Sequence, residues 1–231
     1  MNQQPIEKQS IHAKGILEVH SIFYTIQGEG PFAGYPAVFV RLAGCNLRCP
    51  LCDTDYTSGR RLVGPVGLLE LVNEVNEKAK LVVITGGEPF RQNITPAVNT
   101  LLNAGYAVQI ETNGTLYQEG FPYEAVTTVV SPKAGTINRQ LVEHPGAIAA
   151  LKYVMQADCC APDGLPALAL AHPAAPQVAR PPAAFPGVVY LQPADEKDEI
   201  KNAANLSAVV ESCLDNGYTL GIQIHKIINK E

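Results

Sequence analysis

The sequence lacks a long apolar run, and it lacks an excess of positive charge. No part of its 231 residues approaches the roughly 20 consecutive apolar residues of a membrane span. Residues 1–14 are polar and lack the apolar core of a signal peptide, so we expect a cytoplasmic protein without a membrane partner. The formal net charge of −5 argues against a nucleic-acid-binding protein, which normally carries a basic face.

The rest of the composition is typical of a folded globular domain. Hydrophobic residues make up 46% of the chain and charged residues 17%, and the length allows one sizeable core. Because thiols stay reduced in the cytoplasm, the six cysteines are better interpreted as ligands or core residues than as disulfides. Cys159, Cys160 and Cys213 have no spacing typical of ligands, and we interpret them as ordinary core residues.

The other three cysteines are closely spaced, directly after an apolar run. Cys45, Cys49 and Cys52 follow a C-x3-C-x2-C pattern, and a strand that ends in a tight loop would bring their sulfur atoms together. Three thiolates can hold three irons of a cubane cluster and leave the fourth iron without a protein ligand. Zinc also binds cysteine thiolates, but a structural zinc needs a fourth ligand. The nearby Asp53 and Asp55 are poor candidates for that fourth ligand. An iron–sulfur cluster is therefore favoured, and a zinc site is the main alternative.

Segments with strand and helix patterns alternate along the chain. Repeated alternation of strand, polar residues and helix predicts a parallel α/β fold with right-handed crossovers. In barrel-like versions of this fold, reactive groups gather at the carboxyl ends of the strands. The predicted strands span residues 16–26, 37–42, 81–84, 107–110, 127–130, 151–155, 188–191 and 219–224. The predicted helices span residues 68–80, 94–104 and 203–216.

The chain is predicted to form a single domain over residues 15–231, after a loose N-terminal extension over residues 1–14. Residues 158–186 interrupt the alternation, because they are rich in alanine and proline and carry few charges. A helix does not persist through that many prolines. We therefore interpret this segment as an irregular insertion, with an ordinary linker as the simplest interpretation.

One strand end has an unusual composition. The apolar strand over residues 81–84 is followed by Thr85-Gly86-Gly87-Glu88-Pro89. Two adjacent glycines allow the backbone to come close to a ligand, and the Glu88 carboxylate can accept hydrogen bonds from an ammonium group. In isolation, a glycine pair is also common in a simple strand-to-loop turn.

The cysteine spacing and this strand end together resemble the radical S-adenosylmethionine superfamily. Further stretches in the same order resemble, within it, the 7-carboxy-7-deazaguanine synthase family. The resemblance covers about residues 16–231 and weakens through the insertion. The stretches that carry it are Tyr24-Thr25-Ile26-Gln27-Gly28-Glu29-Gly30, Phe39-Val40-Arg41, Cys52-Asp53-Thr54, Glu111-Thr112-Asn113-Gly114, Ser131-Pro132-Lys133, Gln192-Pro193 and Gln223-Ile224-His225-Lys226.

The resemblance implies a partial (β/α) barrel with mostly parallel strands and trimmed helices. It also implies that Cys45, Cys49 and Cys52 hold a [4Fe-4S] cluster whose open iron binds S-adenosylmethionine. Reductive cleavage of the sulfonium then supplies a 5′-deoxyadenosyl radical. The residues implied to line the cofactor pocket are Leu51, Cys52, Asp53, Gly87, Glu88, Ser131, Pro132, Lys133, Gln192, Pro193, Ala194 and Asp195.

A magnesium ion is implied as well, with Thr54 as its one direct protein ligand. A single neutral oxygen makes sense there only if substrate oxygens and water complete the octahedron.

The guanidinium of Arg41 suits a substrate carboxylate, and Gln27 with Glu29 can pair with the amide and amino edge of a pterin-like ring. The residues implied to face the substrate are Ile26, Gln27, Gly28, Glu29, Arg41, Thr85, His225 and Glu231.

The reaction implied by the resemblance converts 6-carboxy-5,6,7,8-tetrahydropterin to 7-carboxy-7-deazaguanine with release of ammonia, in queuosine and 7-deazapurine biosynthesis. It further implies a flavodoxin- or ferredoxin-type electron donor and a homodimer. Two alternatives stay open on the sequence. One is a glycyl-radical-enzyme activating protein, which would act on a protein loop. The other is a non-catalytic zinc-binding or scaffold protein.

Overall fold

The computed structural model describes residues 2–10, 15–174 and 177–230. Within these ranges the chain forms nine strands and five α-helices. The strands are β1 Leu17–Ile26, β2 Pro36–Leu42, β3 Arg61–Val63, β4 Leu81–Gly86, β5 Ala107–Thr112, β6 Thr127–Val130, β7 Ala150–Met155, β8 Val188–Pro193 and β9 Thr219–Leu220. The helices are α1 Pro65–Val75, α2 Thr95–Asn103, α3 Arg139–Glu143, α4 Glu199–Asn216 and α5 Ile224–Ile227.

All nine strands belong to one sheet in the order β3-β1-β2-β4-β5-β6-β7-β8-β9. β1 pairs antiparallel with β2 and β3, whereas every pair from β2–β4 to β8–β9 is parallel. β3 and β9 form opposite edges of the sheet, so the barrel is open. The predicted α/β partial barrel with mostly parallel strands is confirmed.

The parallel strands are apolar because both faces of the sheet are covered. The side chains of residues 81–84 in β4 are all buried, as a strand in the middle of a parallel sheet requires. The largest core cluster joins this half of the sheet to α1 and α2, and a second cluster packs β7 and β8 against α4. This packing fixes the carboxyl ends of the strands relative to one another.

Several helix boundaries differ from the sequence prediction. α1 begins at Pro65 and ends at Val75, because the Asn76 side chain accepts a hydrogen bond from the Ala79 backbone and turns the chain. α4 begins at Glu199, since the Asp198 carboxylate caps the first turn. The short elements β3 and α3 were not predicted, because three to five residues show no clear periodicity.

The predicted strand over residues 219–224 is wrong beyond Leu220. β9 has only two residues, and His225 lies in α5 rather than at a strand end. The reason is a contact at the other end of the chain, since the Ile224 backbone N–H donates to the Gly28 carbonyl at 3.1 Å. Gly221 N–H still donates to the Leu191 carbonyl in β8 at 2.8 Å, and residues 222–228 then leave the sheet edge and lie at the turn after β1.

Two segments predicted to be loose are packed. The described part of the N-terminal extension, residues 2–10, lies along the cysteine loop and is hydrogen-bonded to it. The insertion over residues 158–186 is irregular, as predicted, but it is not an ordinary linker. Its Leu165, Ala169 and Val178 are buried in the second core cluster, and its Ala179 carbonyl accepts from the Tyr153 hydroxyl at 2.7 Å.

In the ranges that the structure describes, the helices are too short or too polar to cross a membrane.

Candidate active site

A cavity of about 470 Å³ opens at the carboxyl ends of the parallel strands. This volume is typical of a small-molecule site. Every strand from β4 to β8, or the loop that follows it, contributes lining residues, and β1, β2 and α5 complete the wall. The cavity therefore lies where a partial barrel is expected to gather its reactive groups.

The three closely spaced cysteines lie together on one wall of this cavity. Cys45, Cys49 and Cys52 are free thiols, and the first two are at most 9% exposed. Burial raises the pKa of Cys45 to about 12 and that of Cys49 to about 11, and burial also raises the pKa of Cys52. The metal-free thiols are therefore protonated at neutral pH, and metal binding must displace their protons.

The arrangement of the thiols suits a cubane cluster. Cys45, Cys49 and Cys52 line the same cavity, and their sulfur atoms are close enough that Cys49 and Cys52 each contribute to the raised pKa of Cys45. A cubane places each of three such thiolates on a different iron. The Lys133 ammonium adds positive charge near Cys49 and Cys52, which suits an anionic cluster.

The glycine pair after β4 allows two backbones to pack closely. A Cβ atom on Gly87 would lie 2.0 Å from the Gly44 carbonyl oxygen, and one on Gly86 would lie 2.2 Å from the Leu42 carbonyl oxygen. Backbone bonds hold this contact, because Gly87 N–H donates to Leu42 at 3.1 Å and Glu88 N–H donates to Gly44 at 3.0 Å. The two glycines thus fix the end of β4 against the start of the cysteine loop, and both also line the cavity.

Gly87→Ala is expected to lower cluster content after reconstitution and to reduce activity by about 10²-fold or more, since a misplacement of about 1 Å can have that effect. The added methyl group meets backbone that cannot rotate away. Iron analysis and turnover measure the effect. Gly67→Ala in α1 is the control, because its nearest neighbour, Val63 Cγ1, is 3.7 Å away. A Gly87→Ala protein with normal iron content and turnover would contradict this account.

Glu88 lies behind the cavity wall rather than on it. Its side chain is fully buried, and its carboxylate accepts from Phe90 N–H at 3.0 Å, Thr112 Oγ1 at 2.7 Å and Asn113 N–H at 2.7 Å. Burial raises the pKa of Glu88 to about 7. The Glu88 carboxylate therefore holds the ends of β4 and β5 together, and its predicted contact with an ammonium group stays a prediction.

An ion pair lies on the floor of the cavity. The Lys152 ammonium donates to Glu29 Oε2, and both side chains are at most 12% exposed. Gln192 and Gln223 donate to Glu29 Oε1 at 3.1 and 2.9 Å. Burial alone would raise the pKa of Glu29, but the charge and hydrogen bond of Lys152 outweigh it and lower the pKa to about 2. Glu29 is therefore ionised across the pH range in which proteins normally work.

A second carboxylate, Glu111, lies beside this pair. Gln27 Nε2 donates to Glu111 Oε1 at 3.0 Å, and Thr85 Oγ1 donates to Glu111 Oε2 at 3.2 Å. Gln27 Oε1 accepts from the Glu29 backbone at 3.1 Å. Gln27 and Glu29 thus have partners inside the protein, and their predicted pairing with the edge of a substrate ring stays a prediction. The Gln27 amide instead orients Glu111.

The wall formed by β1 and β2 is aromatic and cationic. Phe23 and Phe39 stack with ring centroids 5.4 Å apart, and Arg41 Cζ lies 5.4 Å from the Phe23 centroid. All three residues line the cavity. A guanidinium above an aromatic face suits a planar ligand that carries a carboxylate.

A third lysine ties α5 to the opposite side of the cavity. Lys226 Nζ lies 2.8 Å from Asp195 Oδ2 and 3.7 Å from Asp53 Oδ2. The hydrogen bond from Lys226 holds the pKa of Asp195 well below its ordinary value. α5 thus joins the segment after β8 to the end of the cysteine loop, and Lys226 completes the rim.

Comparison with known proteins identifies the family. The Radical SAM superfamily model matches residues 40–125. A Rhodospirillum rubrum protein named 7-carboxy-7-deazaguanine synthase is 44% identical over 221 residues, which cover 92% of each chain. A Rickettsia prowazekii protein of the same name is 37% identical over 222 residues, covering 93% of this chain and 89% of that one. This chain belongs to the 7-carboxy-7-deazaguanine synthase family.

The fold agrees with that of a solved structure. A crystal structure of QueE from Escherichia coli matches with a TM-score of 0.67 and 24% identity, over 90% of this chain and 94% of that chain. Membership of the radical S-adenosylmethionine superfamily implies a [4Fe-4S] cluster and S-adenosylmethionine, which the three-thiol wall suits. The alternatives of a glycyl-radical-enzyme activating protein and a zinc-binding scaffold are set aside on the family assignment.

Most of the residues that the family resemblance assigned to the site line this one cavity. They are Cys45, Cys49, Leu51, Cys52, Asp53, Thr54, Gly87, Ser131, Lys133, Gln192, Asp195, Ile26, Gln27, Glu29, Arg41, Thr85 and His225. Gly28, Glu88, Pro132, Pro193 and Ala194 do not line it. Gly28 packs behind the site, where a Cβ atom would lie 2.1 Å from His225 Nδ1. The predicted substrate residue Glu231 lies outside the described residues.

The sequence prediction missed several lining residues of this synthase-family site. The sequence contained a signal for Lys152, because a single charged residue in an otherwise apolar buried strand needs a partner. It contained no signal for Leu170, which belongs to the irregular insertion and whose carbonyl accepts from Leu51 N–H at 3.2 Å. The missed lining residues are Phe23, Thr25, Phe39, Leu47, Gly86, Glu111, Thr112, Asn113, Lys152, Val154, Leu170, Gln223 and Lys226.

Proposed function

We propose that this chain converts 6-carboxy-5,6,7,8-tetrahydropterin to 7-carboxy-7-deazaguanine and releases ammonia, as a radical S-adenosylmethionine enzyme of 7-deazapurine biosynthesis. The observation that carries the proposal is the cavity itself. It joins a three-thiol wall to an aromatic and cationic wall and to a floor of paired charges, in a chain 44% identical to a named synthase.

In this proposal Cys45, Cys49 and Cys52 hold the [4Fe-4S] cluster. The cluster and bound S-adenosylmethionine supply the one-electron chemistry that starts the reaction. The protein's own part is to bind and orient the substrate and to exclude water. Gly87, Ser131 and Lys133 would face S-adenosylmethionine, with Leu51, Asp53, Gln192 and Asp195.

Arg41 would bind the substrate carboxylate while Phe23 and Phe39 support the planar ring. Glu111 is the carboxylate placed to accept hydrogen bonds from the ring edge, because Gln27 and Thr85 hold both of its oxygens in position. Glu29 supports this floor through its pair with Lys152. Burial, with the charge of Lys152, lowers the pKa of Lys133 to about 8, so Lys133 can gain or lose a proton near neutral pH.

Thr54 would be the one direct protein ligand of a magnesium ion, with substrate oxygens and water completing its shell. Its side chain lines the cavity beside Asp53, and Thr54 Oγ1 lies 3.4 Å from Asp53 Oδ1. A homodimer, a flavodoxin- or ferredoxin-type electron donor and a cytoplasmic location are further parts of the proposal. The dimer and the electron donor rest on the family resemblance, and the location rests on the composition of the sequence.

Anaerobically reconstituted protein is expected to form 7-carboxy-7-deazaguanine when supplied with S-adenosylmethionine, reductant, magnesium and the carboxytetrahydropterin. The deazaguanine chromophore and released ammonia are measured together, with omission of S-adenosylmethionine as the control. Omission of magnesium should slow product formation. Cleavage of S-adenosylmethionine without any product, over a range of substrate concentrations, would defeat the assignment.

A further inference from the structure

The N-terminal residues make a series of hydrogen bonds to the cysteine loop. We call residues 2–10 the strap. The loop over residues 45–57 has no helix or strand, so its backbone polar groups need partners from elsewhere. The strap supplies them at the beginning, the middle and the end of the loop. At the beginning, Glu7 N–H donates to the Cys45 carbonyl at 2.8 Å.

In the middle of the loop, the partner is Asn2. Its backbone N–H donates to the Pro50 carbonyl at 2.9 Å, and its side-chain amide donates to the Cys49 carbonyl at 3.2 Å. The same amide nitrogen lies 3.3 Å from the Tyr56 hydroxyl. Asn2 also accepts from Gln4 N–H at 2.9 Å, which fixes the turn of the strap between the two residues.

At the end of the loop, the Gln4 side chain binds the backbone from both of its polar ends. Gln4 Nε2 donates to the Thr54 carbonyl at 2.8 Å, and Gln4 Oε1 accepts from Tyr56 N–H at 2.7 Å. The Thr57 hydroxyl donates to the same oxygen at 3.3 Å. This is the pattern of a neighbouring strand, provided by one side chain, and it fixes the backbone at Thr54.

The strap is itself anchored to the body of the protein. Glu7 forms ion pairs with Arg60 at 2.6 Å and with the buried Arg91 at 3.3 Å. Ser10 N–H donates to the Arg91 carbonyl at 2.8 Å. Arg91 also packs against the residue before Cys45, because a Cβ atom on Gly44 would lie 2.5 Å from Arg91 Nε. These contacts connect the strap, and through it the cysteine loop, to the sheet.

We propose that the strap positions the cluster-binding loop, with Gln4 as its principal positioning residue. Gln4 does not line the cavity, and its side chain hydrogen-bonds to the backbone of Thr54 and Tyr56 and to the Thr57 hydroxyl, so it acts through the backbone of the loop. A binding loop that is held in place before the ligand arrives loses less entropy on binding and releases the ligand more slowly. The proposal rests on the proposed function for the identity of the ligand, but not for the restraint on the loop.

The test compares Gln4→Met with Gln3→Met in the full-length chain. Methionine keeps the length of the side chain and removes its hydrogen bonds, and Gln3 is an exposed neighbour on the same strap. The first measurement uses the metal-free protein. Trypsin cleavage after Arg48, an exposed residue of the loop, should be about tenfold faster in Gln4→Met and unchanged in Gln3→Met.

The second measurement follows the visible absorbance of the reconstituted cluster after a chelator is added under anaerobic conditions. Gln4→Met should lose the cluster about tenfold faster than the wild type, and Gln3→Met should match the wild type. Asn2→Ala removes the side-chain bonds to Cys49, Tyr56 and the Gln4 backbone, and it is the second variant should Gln4→Met fail to fold. It is expected to change both rates in the same direction.

Equal trypsin rates for Gln4→Met and the wild type would overturn the proposal, and so would equal effects of the Gln3 and Gln4 substitutions. A wild-type protein that binds no cluster would instead overturn the proposed function. In that case a faster cleavage of Gln4→Met would still support the role of the strap, so the two failures are distinguishable.

Discussion

Cys49→Ala is expected to abolish cluster binding and to reduce product formation by at least about 10³-fold. Each thiolate of a three-cysteine site holds its own iron, and the described residues place no fourth thiol on this wall of the cavity. The substitution leaves the neighbouring Cys45 and Cys52 without a complete ligand set. Iron and sulfide analysis, the visible absorbance and turnover are measured on protein that has been reconstituted in the same way.

Cys213→Ala is the matched control for this substitution. Cys213 is 9% exposed and Cys49 is 8% exposed, so both changes remove a buried sulfur. Cys213 packs in the second core cluster, away from the cavity, and its loss is expected to reduce the free energy of unfolding by about 1 kcal/mol at unchanged iron content. If Cys49→Ala retains a full cluster and turnover, the three-thiol site is not the cluster site.

Lys152→Met is expected to reduce the free energy of unfolding by about 3–5 kcal/mol at pH 8 and to suppress product formation. The substitution leaves the buried Glu29 carboxylate without its cation, and an uncompensated buried charge has a cost of that size. Lys201→Met is the matched control. The Lys201–Glu196 pair joins atoms 3.3 Å apart at an exposed position, where loss of the lysine should change stability by no more than about 1 kcal/mol.

The loss of stability in Lys152→Met should depend on pH in a defined direction. In the wild type the pKa of Glu29 is lowered from 4.5 to about 2, so the pair stabilises the protein above pH 4.5 and loses that contribution as the pH falls toward 2. In Lys152→Met, burial without the cation raises the pKa of Glu29 above its unfolded value. The deficit in stability should therefore be largest at high pH and should shrink as the pH falls and Glu29 becomes protonated.

A double variant separates the ion pair from simple packing. Glu29→Gln combined with Lys152→Met removes both charges, so it should be more stable than Lys152→Met alone at pH 8. Denaturant unfolding at pH 5.5 and pH 8 measures all three proteins. A Lys152→Met deficit that does not change with pH, or that the second substitution does not relieve, would refute the role assigned to this pair.

The fold was predictable from the sequence, because parallel strands that are buried on both faces have short, continuous apolar sequences. β4, β6 and β7 were all found from such runs. Their carboxyl ends then placed most site residues on one edge of the sheet. Periodicity failed where a distant contact decides the local structure. The Gly28 carbonyl takes the Ile224 N–H and converts a predicted strand into α5.

The chemistry of individual side chains was less predictable than their position. A motif shows that Gln27, Glu29 and Glu88 lie near the site, but it does not show which partners their polar atoms already have. The Glu88 carboxylate already accepts hydrogen bonds from Phe90, Thr112 and Asn113. The negative charge of Glu29 is balanced by Lys152, which lies in a strand more than a hundred residues later in the chain. Those pairings follow from the packed structure and have no signal in a local pattern.

The order of the strands has a consequence for how the protein is made. From β4 onward the sheet grows in the order of synthesis, so the strap, the wall formed by β1 and β2 and the cysteine loop leave the ribosome long before the rest of the cavity. The hydrogen bond from Gln223 to Glu29 spans 194 positions of the chain. Until β7 is made, Glu29 lacks its cation, and until that last segment arrives the cavity beside the thiol wall is incomplete. We therefore expect durable iron loading to follow completion of the chain, and truncated chains to leave their thiols open to oxidation.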